Sequence, residues 1–153
     1  MNDTDILQRI QSDMATAMKS KDADTLSTLR MLKTALMEAK TRKPKDATLS
    51  SDEVIEVLQR YAKKRREAIE EFRRLGREDL VPNEEREIQV TARYLPQAMN
   101  EDDLRVLVSE AIAATGAAGP KDMGKVIGAV MAKAKGRTEG GTVSRLVKEA
   151  LGG

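Results

Sequence analysis

The sequence contains no cysteine, no histidine and no tryptophan. Without imidazole or thiol groups, the chain cannot build a Ser-His-Asp relay, a cysteine nucleophile, or a metal site that depends on those ligands. The absence of cysteine also excludes disulfide bonds, which suits a reducing compartment.

Aromatic residues are nearly absent, since the chain has two tyrosines and one phenylalanine. Tyr61, Phe72 and Tyr94 are too few for a module that reads single-stranded RNA by stacking its bases. Long apolar runs are absent as well, and Asp3 and Asp5 stand where a signal peptide carries positive charge. We expect a soluble protein that is not exported, does not contact a membrane, and works in the cytoplasm.

Charge is abundant and balanced. The 153 residues include 27 Lys and Arg and 25 Asp and Glu, so 34% of the chain is charged while the net charge is only +2. Hydrophobic residues make up 40% of the chain, and much of that set is Ala and Met. This composition predicts a folded chain with a thin core, which suits closely packed helices.

Apolar side chains recur every three or four residues along the first part of the chain, which predicts amphipathic helices. The predicted segments run over about Asp3–Lys19, from a cap at Asp22 or Asp24 to about Lys40, and from Ser50 to Gly76. In the first of them, Ile10, Met14 and Met18 should face inward. Ser50 and Glu53 have the spacing of a capping box, which satisfies free N–H groups at the start of a helix.

The segment Glu87–Leu95 is ambiguous, because its apolar residues fit either a strand or a helix. We favour a helix, since no other segment offers a strand with which this one could pair. Pro82 suits the first turn of the element. Pro96 ends it and marks a boundary.

Three shorter helices are predicted after that boundary. The first begins at a cap at Asn100 and closes at Gly116. The second runs from Pro120 to Gly136, and the third starts at about Gly141. The predicted fold is therefore all-α. It combines an antiparallel helical N-terminal domain, residues 1–96, with a small three-helix C-terminal domain, residues 97–153.

The segment GPKDMGKV, residues 119–126, fits the G-x-x-x-x-G-K part of a phosphate-binding loop. That loop follows a strand and continues with Ser or Thr, whose hydroxyl binds magnesium. Here a helix precedes the segment, and Val126 takes the place of the hydroxyl residue. We therefore interpret it as a helix start, with Pro120 in the first turn and Gly124 and Gly128 allowing another helix to approach closely.

Basic residues are concentrated in two stretches. Residues 60–77 contain eight cations and three carboxylates, and residues 121–148 contain seven cations and two carboxylates, so each stretch has a net charge of +5. Such patches attract phosphate backbones by releasing counterions. In the first stretch, a solvated helix face with pairs such as Lys63–Glu67 and Arg74–Glu78 is favoured over RNA contact. In the second, both interpretations stay open, because the basic residues 133–137 lie at a helix end beside a Gly-rich turn.

The sequence gives little indication of residues that could catalyse hydrolysis. The carboxylates fall on predicted exposed faces or at caps, and none of the seven serines lies in an amidase-type loop or a G-x-S-x-G elbow. We assign no catalytic, cofactor-binding or metal-ligating residue, and we expect no cofactor.

Six further motifs are spread along the chain: TLRMLK at residues 28–33, LSSDEVI at 49–55, GREDL at 76–80, YLP at 94–96, KDMGKVIG at 121–128 and KGR at 135–137. Together they resemble the stand-alone YqeY proteins of the GatB/YqeY family, and the resemblance covers nearly the whole chain. The C-terminal motifs are the most specific. They also resemble the tail of GatB, a subunit of the glutamine-dependent amidotransferase that corrects mischarged Glu-tRNA(Gln) and Asp-tRNA(Asn).

The resemblance implies a C-terminal domain of the GatB-tail type, which contacts tRNA while the chemistry occurs elsewhere. It also implies an association with carbon–nitrogen ligation that uses glutamine as amido-N-donor, although it brings no catalytic residue to this chain. Our leading hypothesis is a non-catalytic accessory protein that binds tRNA or another structured RNA, and not DNA. The candidate contact residues are Lys125, Lys133, Lys135 and Arg137.

Two alternatives stay open beside this hypothesis. One is a protein-interaction module that docks on a translation or amidotransferase component. The other is a free-standing amidotransferase.

Overall fold

The computed structural model describes the backbone of residues 3–152 and the side chains of residues 6–152. Within that range the chain forms helices and no strand, which confirms the all-α prediction. The α-helices are α1 (Asp3–Lys19), α2 (Ala23–Thr41), α3 (Ser51–Arg74), α4 (Val81–Ala92), α5 (Glu101–Thr115), α6 (Met123–Lys133) and α7 (Gly140–Ala150). Short 3₁₀ turns over Glu78–Leu80 and Pro120–Asp122 precede α4 and α6.

The chain forms two compact units, an N-terminal unit that ends at Leu95 and a C-terminal unit that begins at Pro96. In the N-terminal unit, α1 packs on α2, while α2 and α3 pack on each other and on α4. Its core is mostly aliphatic and contains Ile6, Ile10, Leu29, Leu32, Leu36, Leu49, Val54, Leu58, Tyr61, Val90 and Tyr94.

The helix boundaries of this unit follow local capping chemistry. The Ser50 side chain accepts a hydrogen bond from the Glu53 N–H at 3.2 Å, and the Ser50 N–H donates to Glu53 Oε1 at 2.9 Å, so the predicted capping box is confirmed. Asp22 caps α2 by accepting from the Thr25 N–H. The ambiguous segment is helical as far as Ala92, as we predicted.

The prediction that Met18 of α1 faces inward is wrong. Met18 is 60% exposed, and Ala17 is buried in its place. Ala17 lies seven residues, close to two full turns, after the buried Ile10, whereas Met18 lies a further 100° around the helix. The apolar stripe of α1 therefore ends at Ala17.

In the C-terminal unit, α5, α6 and α7 pack against one another in pairs. The core contains Leu104, Val108, Ala111, Val126, Val130, Ala134, Val143, Leu146 and Val147. Asn100 caps α5 by accepting from the Asp103 N–H at 2.8 Å, and Gly116 closes α5 in the left-handed conformation, both as predicted.

Two expectations about α6 are corrected. The helix ends at Lys133, three residues before the expected Gly136, because the buried Ala134 closes it and Gly136 then turns the chain with φ 76°. Gly124 and Gly128 do not admit a neighbouring helix of this unit. Both are exposed, and a Cβ at either would meet nothing within 4 Å, since Val126 and Val130 form the packed face on the other side of α6.

The Gly128→Ala substitution is expected to stabilise the C-terminal unit by about 0.5–1 kcal/mol, because the exposed helix interior has room for a methyl group and Ala loses less backbone entropy than Gly. Chemical denaturation followed by the methyl NMR signals of Val130 and Val147 would measure it. Gly136→Ala should destabilise the same unit, because φ 76° disfavours an L side chain. A loss of stability in Gly128→Ala would contradict the exposed position of Gly128.

The capping box predicts a pH dependence. The Lys43 ammonium donates to Glu53 Oε1 at 2.6 Å and, together with the Ser50 N–H, lowers the pKa of Glu53 from 4.5 to about 2. A carboxylate with a lowered pKa contributes stability above its unfolded pKa and loses it as the pH falls. Wild type should therefore be more stable than Glu53→Gln at pH 7, and the difference should vanish between pH 4.5 and pH 2.

Thermal unfolding monitored between pH 7 and pH 2 would test this dependence. The matched control is Glu56→Gln, which neutralises an exposed carboxylate one turn further along α3. If the Glu53→Gln difference were independent of pH, the ionised state of Glu53 would not be the stabilising species.

Candidate nucleic-acid interface

Five basic residues of the C-terminal unit lie on α6 or next to it. Lys121 stands in the 3₁₀ turn before this helix, Lys125 and Lys133 lie on it, and Lys135 and Arg137 lie in the turn that follows. All five residues are exposed. The four predicted contact residues are thus accessible, and Lys121 extends the set at the start of α6.

Three of these lysines have no partner in the described part of the chain. The ammonium groups of Lys121, Lys125 and Lys133 form neither an ion pair nor a hydrogen bond with residues 6–152. The only described carboxylate in the turn before α6 is Asp122, whose Oδ2 accepts a hydrogen bond from the Ala118 N–H at 3.0 Å. Positive charge is therefore left uncompensated along α6.

The other two predicted contact residues are engaged within the chain. Lys135 already interacts with another residue. Arg137 Nε donates to the Gln97 carbonyl at 2.9 Å, and the Arg137 carbonyl accepts from the Met99 N–H at 2.9 Å. Arg137 therefore fastens the segment that leads into α5 to the turn after α6.

Arginines elsewhere in the C-terminal unit are paired with carboxylates. Arg105 lies 3.7 Å from Glu101 and 3.6 Å from Glu149, while Arg145 pairs with the same two carboxylates and lies 3.2 Å from Glu149. Glu101, followed by Glu149, raises the pKa of Arg145. This network joins α5 to α7, whereas the lysines of α6 have no carboxylate partner among the described residues.

In the basic stretch of residues 60–77, part of the positive charge is neutralised, because carboxylates of α4 and of the turn before it pair with the arginines. Arg65 lies 3.5 Å from Glu84, and Arg73 lies 3.5 Å from Glu78 and 3.3 Å from Glu85. A further pair joins Arg77 to Asp79 at 3.0 Å.

Two pairs predicted within this stretch are not the ones that form. Arg74 pairs with Glu71 and not with the expected Glu78. No Lys63–Glu67 ion pair is found among the described side chains. The tertiary structure brings Glu78 to Arg73 instead, which helical spacing alone could not indicate.

Two carboxylates of α4 correct the expectation that every carboxylate is exposed or at a cap. Glu84 has a side chain only 15% exposed, and burial, followed by the neighbouring Glu87, raises its pKa. The Tyr61 hydroxyl donates to Glu87 Oε1 at 2.7 Å, and the Arg65 guanidinium lies 4.8 Å from the Tyr61 ring. These contacts join α3 to α4, so the two carboxylates serve the packing of the unit.

No group of three or more Asp, Glu, His or Cys residues suited to hold a metal ion occurs among residues 6–152. No described helix is both long and apolar enough to span a bilayer.

The fold and this surface define an all-helical protein with an uncompensated lysine face on a small three-helix unit. The sequence matches the family described as YqeY, Yqey-like protein, over residues 7–151. The chain therefore belongs to the YqeY-like protein family, and the resemblance noted in the sequence is confirmed at the level of the family.

Three fungal relatives are similar to this chain. "Altered inheritance of mitochondria protein 41, mitochondrial" of Pyrenophora tritici-repentis is 32% identical over 152 residues, which cover 96% of this chain and 81% of that protein. A protein of the same name from Eremothecium gossypii is 32% identical over 65% of this chain and 55% of its own length. An uncharacterized protein of Schizosaccharomyces pombe is 37% identical over 58% of this chain and 70% of its own length.

The contacts of Arg137 predict that it matters for stability. Arg137→Ala should destabilise the C-terminal unit by about 1 kcal/mol, because the hydrogen bond to the Gln97 carbonyl is lost. Lys125→Ala, which removes an unpartnered exposed cation, should change stability by less than about 0.5 kcal/mol. Denaturation followed by the Val147 methyl signals would compare the two, and equal stability of both variants would contradict the fastening role of Arg137.

Proposed function

We propose that this protein is a non-catalytic accessory that binds structured RNA, with tRNA as its ligand, in association with tRNA-dependent amidotransferase systems. The observation that carries the proposal is the unpartnered lysine set on and before α6, formed by Lys121, Lys125 and Lys133. Free lysines on one small unit favour contact with phosphate groups, because binding releases counterions and breaks no ion pair.

The shape of α6 supports the same proposal. Gly124 and Gly128 lie exposed beside Lys125, with nothing within 4 Å of the position of a Cβ atom. A nucleic-acid backbone can approach a helix closely where side chains are absent. The lysine ammonium groups can then reach phosphate and 2′-hydroxyl groups on either side.

The aromatic residues argue against base readout. Tyr61 and Tyr94 are buried, with their hydroxyl groups donating to Glu87 and Asp13, and Phe72 is half-buried. None of the three offers a free ring for stacking with a base. The proposed recognition therefore uses the backbone and shape of the RNA and not its sequence.

The amidotransferase association rests on the resemblance of the C-terminal motifs to the GatB tail. No catalytic residue is proposed for this chain, and a cytoplasmic location stays a prediction. The names of two fungal relatives give a mitochondrial location for those proteins.

A protein-interaction module is the second candidate function. Met18, Met31 and Met37 are 60%, 48% and 44% exposed, and flexible methionine side chains are common on surfaces that bind proteins. A partner that co-purifies after RNase treatment and at moderate salt would favour this candidate. Turnover of glutamine, ATP and mischarged tRNA by the purified protein would instead favour the free-standing amidotransferase.

RNA binding is expected to depend on the lysines of α6. Replacing Lys121, Lys125 and Lys133 with Ala should lower the slope of log affinity against log salt concentration by about 2–3 units, because three phosphate contacts are removed. Filter binding or fluorescence anisotropy with tRNA at several salt concentrations measures that slope. Arg137 is left in place, since it holds the fold of the unit.

The matched control replaces three exposed lysines of the N-terminal unit, Lys19, Lys40 and Lys45, with Ala. This control makes the same change in net charge and should leave the slope nearly unchanged. Equal slopes in the two triple variants would show that net charge, and not this surface, determines binding.

A further inference from the structure

A cleft between α2 and α3 of the N-terminal unit is not used by the function proposed above. It has a volume of about 170 Å³. Its floor is formed by Ala35, Ala39 and Val57, all half-buried, so small side chains at the helix contact leave space open. Its rim carries Arg42, Arg60 and Lys64 together with a single carboxylate, Glu38.

The three cations of the rim have no side-chain partner in the part of the chain that the structure describes. Arg60 and Lys64 lie one turn apart on α3, and Arg42 follows the last residue of α2. Across the described residues, no ion pair or side-chain hydrogen bond involves any of the three. The nearby Arg65, Arg73, Arg74 and Arg77 all pair with carboxylates.

The helix dipole stabilises one of these three cations but not the other two. Arg42 stands at the C-terminus of α2, where a cation is favoured by the helix dipole. Arg60 and Lys64 lie inside α3 and receive no such stabilisation. Their mutual repulsion is relieved when an anion occupies the cleft.

We propose that this cleft binds a phosphate group, held by Arg60, Lys64 and Arg42 over the Ala35 and Ala39 floor. A guanidinium offers paired donors that match phosphate oxygens, and a lysine ammonium adds a point charge. The cleft is smaller than the roughly 300 Å³ at which pockets for drug-sized ligands begin, so it suits one phosphate group and not a whole nucleotide. The phosphate can belong to an RNA backbone or to a small phosphoester.

Titration of the whole 153-residue chain with inorganic phosphate, followed by the methyl NMR signals of Ala35, Ala39 and Val57, tests the site. These signals should shift and saturate in wild type. In Arg60→Gln/Lys64→Gln the apparent affinity should fall about tenfold, because two charge-assisted contacts at a partly exposed site are removed. Both side chains are exposed and unpartnered, so the fold should be retained.

Two further variants sharpen the test. Lys63→Gln removes one positive charge from α3 at an exposed residue outside the cleft, and its affinity should equal that of wild type. Glu38→Gln removes the only carboxylate of the rim and should tighten phosphate binding about threefold. Absence of saturable shifts in wild type, or equal affinities in the double variant and in Lys63→Gln, would overturn the proposal.

The source of the phosphate is distinguished by comparing uridine monophosphate with a ten-residue oligouridylate. Equal affinities for the two, counted per phosphate, indicate a small phosphoester. Tighter binding of the oligomer with a steep salt dependence indicates an RNA backbone. The variant of Lys121, Lys125 and Lys133 should retain the phosphate shifts of the cleft, so this site can stand if the proposed RNA surface of the C-terminal unit fails.

Discussion

The structure depends on the burial of narrow aliphatic stripes, one on each helix. Side chains such as Ile10, Leu32 and Leu58 in the N-terminal unit, and Val126 and Val147 in the C-terminal unit, are fully buried. No tryptophan and few aromatic rings supplement them. Because each stripe is narrow, every helix also needs defined ends and polar contacts at its flanks, and much of the charged surface serves that need.

Several arginines form ion pairs between helices, whereas the lysines of α6 do not. Arginines such as Arg65, Arg105 and Arg145 pair with carboxylates of a neighbouring helix. The lysines of α6, by contrast, have no described partner. A planar guanidinium suits defined bridges, whereas a flexible ammonium group suits solvent or a polyanion. This division is not strict, because Lys43 pairs with Glu53 while Arg42 and Arg60 have no side-chain partner among the described residues.

Local signals in the sequence predicted much of the fold. The capping box at Ser50, the cap at Asn100 and the left-handed Gly116 depend on a few neighbouring residues, and all three are confirmed. The helical nature of the segment after Pro82 followed from the lack of any strand to pair with it. The prediction for Met18 is wrong, because near the end of a helix both a three-residue and a four-residue step fit the helical periodicity.

The candidate site was less predictable, because it depends on which cations find partners. The sequence indicated Lys125, Lys133, Lys135 and Arg137 by the local concentration of charge and by the resemblance of the C-terminal motifs to the GatB tail. Within the described residues, the first two have no partner and the other two are engaged. The hydrogen bonds that join Arg137 to Gln97 and Met99 have no signal in the sequence. The exposure of Gly124 could not be predicted either, since residue spacing does not indicate which face of a helix is covered by its neighbours.

The proposed contact between RNA and the lysines of α6 can be mapped by the amide chemical shifts of the whole chain during titration with tRNA. The largest shifts are expected on residues 120–137, centred on Lys125 and Lys133. Shifts confined to the α5–α7 network around Arg105 and Arg145, or no saturable shifts in the C-terminal unit, would contradict it.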